Sequence, residues 1–367
     1  VEVPPDNWYL TGPNALKDQI RLGNANYSPN FPSSAVVMAR IYEQLTGEHL
    51  DGLIQVDAAA VGDMLKAVGP LDVPLWSGQV NSSNVERIAY IDSHLTYPKG
   101  HERKDLSAQL VAQAWTKIGN PSDGAQLLES AIQLGNALAS KNLQVWFADP
   151  DQQRLADQLG WTGQIKPADG DYLLVAEDAQ STDALSFFSK TTVLHRVEVQ
   201  PNGDLEVRTV LRQRVNVPPI DRRLPIVNKQ GSDRSTLFNL YVPQDTKLDF
   251  VARDTGTSHF AVRNVLHHTE AGKQVISTLL SSPPEIPTDL VFVYTIPHGV
   301  IDVNGHKVLR LSMQMQPKVI PDELVTTVVL PDGMHFGAVP KPFVVSGNTL
   351  HSTRTVDRDF SVDIPIG

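Results

Sequence analysis

The sequence predicts an α+β chain: a helix-rich α/β domain over residues 1–165, then an antiparallel β-sandwich domain over 166–367. Two observations carry this. Residues 1–165 hold 18 Ala, 12 Val and 5 Thr, whereas 166–367 hold 8 Ala, 28 Val and 17 Thr. Alanine favours helices, and β-branched residues fit the half-buried surface of a sheet. The second observation is local punctuation. Capping residues and glycines bracket helically periodic stretches in the first part, and Pro-Asn-Gly and Asn-Gly turns separate alternating runs in the second.

In chain order, Ser33 and Ser34 are placed to cap a helix with Met38, Ile41, Tyr42 and Leu45 on its apolar face and Gly47 at its end. Leu53-Ile54-Gln55-Val56 reads as a short buried strand. Asp57 caps the next helix, whose apolar face is Val61, Met64, Leu65 and Val68 and whose stop is Gly69-Pro70. Ser83 and Glu86 have capping-box spacing ahead of Ile88, Ile91 and Leu95. Two longer amphipathic stretches follow, Leu106/Leu110/Trp115/Ile118 and Leu128/Ile132/Ala139. Asp149 caps a further helix, with Pro150 in its first turn. Strand and helix alternate here, which predicts an α/β layer.

In the second part, Pro201-Asn202-Gly203 divides Val193/His195/Val197/Val199 from Leu205/Val207/Thr209/Leu211. A three-residue loop with Gly203 left-handed pairs Val199 with Leu205 and Val197 with Val207, which keeps both apolar faces in phase. Asn304-Gly305 marks a second hairpin leading into Val308–Met315. Further strands are expected at Phe238–Val242, Leu290–Ile296, Leu324–Leu330 and Phe360–Ile364.

Composition narrows the function. Thirty-one basic against 41 acidic side chains, net −10, argue against a nucleic-acid partner. The absence of cysteine excludes disulfides, thiolate-held metals and cysteine nucleophiles. No apolar run is long enough to span a bilayer. The chain begins at Val1 rather than Met, which suggests a processed or excised piece with any export signal or membrane anchor upstream.

No phosphate loop, dinucleotide fingerprint, nucleophile elbow or zinc-helix motif occurs. His267-His268, with Glu270 and His259 nearby, has poor chelating geometry because strand neighbours point to opposite faces. His195 falls on an inner face and reads as a satisfied core histidine. Asp169/Asp171 and Asp357/Asp359 read as turn or strand-edge residues. Arg208, Arg212, Arg214, Arg222 and Arg223 form a basic cluster whose first three members share an outward strand face. Either an anionic glycopolymer or lipid headgroup binds there, or the face is simply solvated, with Glu198 and Glu206 balancing it; the second is favoured. Arg103-Lys104 opens a helix against the macrodipole, a weak pointer to a bound anion.

The run Asn26-Tyr27-Ser28-Pro29-Asn30-Phe31-Pro32-Ser33-Ser34-Ala35, with Thr46-Gly47, Asp51–Asp57 and Val68–Val73, resembles a bacterial domain-of-unknown-function family, number 4012. The resemblance continues at Arg103-Lys104, Ser189-Lys190, Leu240–Pro243 and Tyr294–Pro297. It implies an extracytoplasmic envelope protein with an N-terminal membrane anchor, often found beside exopolysaccharide genes. The order from the Leu45-Thr46-Gly47 helix through Asp57 to Asp72-Val73 is also distantly similar to the LytR-CpsA-Psr glycopolymer transferases. That similarity makes the first part a LytR-CpsA-Psr-like α/β layer. It implies transfer from a polyprenyl-pyrophosphate carrier, with Arg103, Lys104, Arg87 and Asp57 as the anion- and glycopolymer-binding set and magnesium as a divalent cofactor. No other cofactor, and no metal site, is indicated.

Three functions follow as expectations. The first is an envelope protein that binds, or also transfers, a lipid-linked or anionic glycopolymer. The second is a non-catalytic surface or assembly subunit whose sandwich packs against other surface-protein subunits. The third, a secreted hydrolase, is the weakest, since no carboxylate pair stands out.

Overall fold

Aspartates at 57, 123 and 149 each accept backbone N–H bonds at the start of a helix, and glycines at 47, 69 and 160 end helices with positive φ. These local signals shape the first part of the chain. The computed structural model describes residues 22, 25–97, 100–180, 184–221, 233–254 and 259–367. Among these, the residues up to Gln164 form one compact unit and those from Ile165 onward a second.

In the first unit, α1 (Phe31–Thr46) begins three or four residues earlier than the Ser33 or Ser34 cap would have it. Pro32 occupies its first turn, Asn30 precedes it and bonds Ser33 Oγ at 2.7 Å, and Ser34 is a buried helical residue rather than a cap. The buried face is Phe31, Ser34, Ala35, Val37 and Ile41, so the expected stripe is rotated and Leu45 is left 76% exposed. Among the described residues, strand β1 (Gly52–Val56) pairs only with β4 (Leu143–Phe147), antiparallel, with Gly52 opposite Phe147. The expected buried strand is therefore half of a two-stranded ribbon, with Ile54 exposed. Helix α2 (Ala58–Val68) follows the sequence closely: Asp57 accepts from Ala60 N at 2.9 Å, and Val61, Met64, Leu65 and Val68 are buried.

Strands β2 (Leu71–Asp72) and β3 (Gln79–Val80) form a two-rung ladder. Helix α3 runs as Val85–Arg87, a π-helical Ile88–Asp92 and Ser93–Thr96. Ser83 does not cap it. Its N–H and hydroxyl both bond Asn81 Oδ1, and Asn84 Oδ1 accepts from Asn81 N at 2.8 Å, because asparagine closes such local turns readily. Helix α4 (Gly100–Ile118) buries Leu106, Leu110, Ala114 and Ile118, with Trp115 at the rim.

Helix α5 (Gly124–Ala139) reverses the expected stripe. It buries Ser130 and Ala137 and exposes Leu127, Leu128 and Ile132. Its apolar residues occupy two adjoining sides, so periodicity alone does not choose a face. The small residues let it approach α2 closely. Helix α6 (Pro150–Leu159) starts at the Asp149 cap as expected. The core is built from α2, α4 and the short strands, around Met64, Leu71, Leu106 and Leu143. The expected α/β layer is thus, among the described residues, helices around two small antiparallel ribbons.

The second unit is two sheets. The larger has the order β10 (His259–Ala261), β9 (Lys247–Asp254), β13 (Thr288–Ile296), β7 (Leu205–Val215), β6 (Ser189–Val199), β16 (Asp322–Val329), β18 (Thr349–Val356) and β17 (Val344–Ser346). The other has the order β11 (Leu266–Glu270), β12 (Lys273–Ser282), β8 (Arg234–Pro243), β5 (Asp171–Ala179), β15 (His306–Gln314) and β14 (Val300–Val303), with β19 (Phe360–Pro365) also on β15. One apolar core joins their inner faces, through Leu173, Val175, Leu240 and Ile276 on one side and Val193, Val197, Leu211 and Phe292 on the other. This is a sandwich. It is not wholly antiparallel: β5 pairs with β15, and β6 with β16, in parallel.

Both hairpins match the sequence. Val199 faces Leu205 and Val197 faces Val207, around Gly203 at φ 88°. Val303 faces His306 around Asn304 and Gly305, both at positive φ, as a two-residue turn between twisted strands requires.

Candidate functional site

Of the four residues expected to grip an anion, Asp57 and Arg103 are engaged at helix ends, Arg87 is in an ion pair and Lys104 is exposed. Asp57 caps α2, and burial pushes its carboxyl up to about 7, with Glu86 and Asp63 adding to the rise. Tyr90 is pushed up to about 12, first by burial and then by Asp57 and Glu86. Arg87 Nε lies 3.3 Å from Asp92 Oδ1. Arg103 Nη1 donates to the Tyr97 carbonyl just past α3 at 2.7 Å, and Lys104 is exposed. The structure thus gathers Asp57, Glu86 and Tyr90, an acidic neighbourhood. Among the described residues no group of three or more His, Asp or Glu side chains is placed to hold a metal ion.

The sandwich interior carries more polar chemistry. His195 is buried and bonded on both ring nitrogens, Nε2 to Asp171 Oδ2 at 2.7 Å and Nδ1 to Thr209 Oγ1 at 2.9 Å. Thr209 in turn meets the Tyr294 hydroxyl at 3.1 Å. This is the satisfied core histidine expected. Asp171, however, is not a turn or edge residue: it is the buried first residue of β5. Its Oδ1 has no hydrogen-bond partner among the described residues, and Asp171 lines a water-sized cavity of about 10 Å³ together with Leu173, Met313 and Thr326.

Farther along β5, Glu177 accepts from Lys318 Nζ at 2.6 Å, Arg234 Nη2 at 2.9 Å and the Thr191 hydroxyl. Lys318 also holds Asp322 at 2.7 Å. Burial works against the Glu177 charge, but Lys318 and Arg234 outweigh it and hold the carboxyl at about 2. Burial wins at Asp322, which sits at about 6. The next residue, Asp178, points to the other face. There it accepts from Asn239 Nδ2 at 2.8 Å, and burial lifts it to about 7.

A groove of about 570 Å³ opens on the outer face of the β5–β15–β19 sheet. Side chains alternate along a strand, so 310, 312 and 314 share that face. Its floor is three cross-strand rungs. Arg310 donates to both oxygens of Asp363 at 2.6 and 2.7 Å, Ser312 Oγ meets Ser361 Oγ at 2.8 Å, and Gln314 Nε2 donates to Asp359 Oδ2 at 3.0 Å. The wall is Lys166–Asp169, anchored by Ile165 in a small cluster with Tyr172, Leu174, Tyr241 and Val275. Tyr172 donates to Gln314 Oε1 at 2.8 Å, and Lys273 Nζ sits 4.3 Å from the centre of the Tyr172 ring. Gly170, at φ 75°, lets this segment pass β15: a Cβ there would meet the Arg310 carbonyl at 2.9 Å. The sequence offered Asp169 and Asp359 as turn or strand-edge residues. The alternation Arg310/Ser312/Gln314 against Asp359/Ser361/Asp363 was the signal that could have paired them.

The outward arginines Arg208, Arg212 and Arg214 are exposed as expected, but Arg212 is held by both oxygens of Asp289, and Arg196, which faces Arg208, is held by Glu198. Arg222 and Arg223 lie outside the described residues. His267 and His268 lie on β11, facing Ile276 and Val275, and burial together with His267 lowers His268 to about 4. His259 belongs to β10 in the other sheet.

Fold and site together define a mixed α+β protein, mostly sheet, with several sheets and several helices. A family described as "Protein of unknown function (DUF4012)" matches residues 5–92, which supports the resemblance to that domain-of-unknown-function family. No curated protein matches the chain. Among solved structures, the chain is similar to a candidate nutrient binding protein from Legionella pneumophila, at 10% identity and TM-score 0.37 over 54% of this chain and 71% of that one. It is similar also to yeast LTA4 hydrolase in complex with bestatin, at 8% identity and TM-score 0.29 over 52% of this chain. A third is an M1 zinc metallopeptidase from Deinococcus radiodurans, at 9% identity and TM-score 0.25 over 54%. The chain spans 31% and 42% of these two enzymes.

Proposed function

We propose that this chain is a non-catalytic subunit of the cell envelope, facing outward, whose β-sandwich serves recognition and packing against other surface proteins. The competing reading is the LytR-CpsA-Psr-like one, in which the first unit grips a polyprenyl-pyrophosphate-linked glycan with magnesium and transfers it. What supports the first reading is the employment of the residues the second needs. Arg87 is paired with Asp92, Arg103 with the Tyr97 carbonyl, and Asp57 caps α2 beside Glu86. A pyrophosphate entering there would displace bonds already made and approach carboxylates, and like-charge contacts raise its free energy.

The test is to incubate the protein with a polyprenyl-pyrophosphate-linked glycan and magnesium, in parallel with Arg103→Ala. The reading expects no transfer by either and equal retention of the carrier. Transfer by the unchanged protein that Arg103→Ala abolishes would overturn it. Protease shaving of intact cells tests the location separately: release supports an outward face, and full protection in permeabilised envelopes opposes it.

A further inference from the structure

We infer that the groove over β15 and β19 is a binding site for a short stretch of polyhydroxylated chain, a glycan segment that carries no acidic groups. The inference goes beyond the function proposed above, because neither an assembly subunit nor a transferase requires this groove.

Its floor argues for hydroxyl ligands. The three rungs offer a guanidinium–carboxylate plane, a pair of serine hydroxyls and an amide–carboxylate plane in sequence. Planar groups with paired donors or acceptors match neighbouring hydroxyls on a sugar ring, and serines adapt as donor or acceptor. At about 3.4 Å per residue, Arg310 to Gln314 spans about 14 Å, the scale of a short oligosaccharide.

A peptide added as a further strand finds no free edge along β15. The backbone of β15 already pairs with β14 and β5 on one edge and with β19 on the other. Peptide recognition by strand addition needs a free edge.

Charge selects among glycans. Asp169, Asp359 and Asp363 line the groove against Lys166 and Arg310, three carboxylates to two cations. Arg310 is bound by both oxygens of Asp363, and this hydrogen bonding holds the Asp363 carboxyl below its ordinary range. Lys166 Nζ lies 3.8 Å from Asp359 Oδ2. Asp169 keeps its side chain 82% exposed at the lip, 4.0 Å from Arg310 Nη1. A uronic-acid or phosphate-bearing chain would meet this carboxylate with no free cation among the groove's described residues to receive it. A neutral or amino sugar would not.

The experiment is titration calorimetry of the whole protein with three tetramers: cellotetraose (neutral), a glucosamine tetramer (cationic) and tetragalacturonate (anionic). The expectation is that cellotetraose or the glucosamine tetramer binds with a dissociation constant of about 1 mM or less, and tetragalacturonate at least about tenfold more weakly. Ser361→Trp, at an exposed position on the floor, should weaken the bound tetramer by at least about tenfold. Asp169→Arg, at the most exposed wall position, should raise tetragalacturonate binding relative to the other two and serves if the tryptophan variant does not fold. Failure of both the neutral and the cationic tetramer to bind, tighter binding of the anionic one, or binding indifferent to a folded Ser361→Trp overturns the inference. Loss of this binding leaves the transfer assay with Arg103→Ala unaffected, so the two proposals fail separately.

Discussion

The two units handle polar groups in opposite ways. In the first, the charged side chains at helix starts act on their own neighbours: Asp57, Asp123 and Asp149 bond N–H groups two or three residues on, and Arg154 pairs with Asp151 one turn back. In the second, Glu177 meets Lys318 across 141 residues of chain and Arg234 across 57, inside the sandwich. A local polar contact forms as soon as its helix does, and water shares its charge. A long-range buried contact forms only when both sheets are in place, and no water replaces a missing partner. The difference predicts where substitutions are tolerated.

The largest expected effect breaks the buried network. Lys318→Met leaves Asp322 without its cation and Glu177 with only Arg234, so it should cost about 3–5 kcal/mol of unfolding free energy, read from denaturant titration. A loss under about 1 kcal/mol would erase the distinction drawn between the units.

Second in size is a pH-dependent effect at Asp178. Burial raises its folded-state carboxyl from 3.8 to about 7. The stabilisation from its bound proton is therefore full below pH 4 and is lost as the pH rises toward 7. Asp178→Asn should remove that dependence, gaining on the order of 2 kcal/mol at pH 8 relative to pH 4. Glu177, one residue away, has the opposite sign. Held at about 2, it stabilises above its unfolded value near 4.5, and that contribution is lost as the pH falls through 2. Thermal melts across pH, comparing Asp178→Asn with the unchanged protein, check the slope.

In the first unit, Asp57→Ala should cost about 1 kcal/mol through loss of the α2 cap at pH 5, where the buried carboxyl is protonated, and less at pH 8, where the substitution also removes a buried charge; denaturant titration at the two pH values checks it. The smallest effect is Arg154→Ala, which removes an exposed pair with Asp151 and should shift stability by less than about 0.5 kcal/mol. If Arg154→Ala costs as much as Lys318→Met, the contrast between local and long-range pairs fails.

The same contrast explains what was legible in the sequence. The Asp57 and Asp149 caps, the Gly47 stop, the strands and the in-phase register around Gly203 are local, and each could be read from a few adjacent residues. The start of α1 was misread because Ser33 and Ser34 look like caps while Pro32 already occupies the first turn. The face of α5 was misread because it has two adjoining apolar sides, Leu127/Leu134/Leu138 and Leu128/Ile132. The two parallel pairings, the Glu177 network and the groove floor depend on residues far apart in sequence, which periodicity does not see. Of the expected site, only the identities of its residues were legible. That Arg87 meets Asp92 and Arg103 meets a carbonyl of the preceding segment depends on where α3 turns.

The parallel pairings bear on how the second unit is made. Strands β5 and β6 emerge early during synthesis, but each has β15 or β16 as a neighbour, and the Tyr172 hydroxyl finds Gln314 only 142 residues later. Until those late strands leave the ribosome, both sheets have an open interior edge, and the hydroxyls and ions destined for the sandwich remain in water. Folding of this unit therefore waits on its last third, and non-local pairing of this kind is slow and prone to association while incomplete. A nascent chain halted before residue 306 would present unfinished edges to any neighbouring chain.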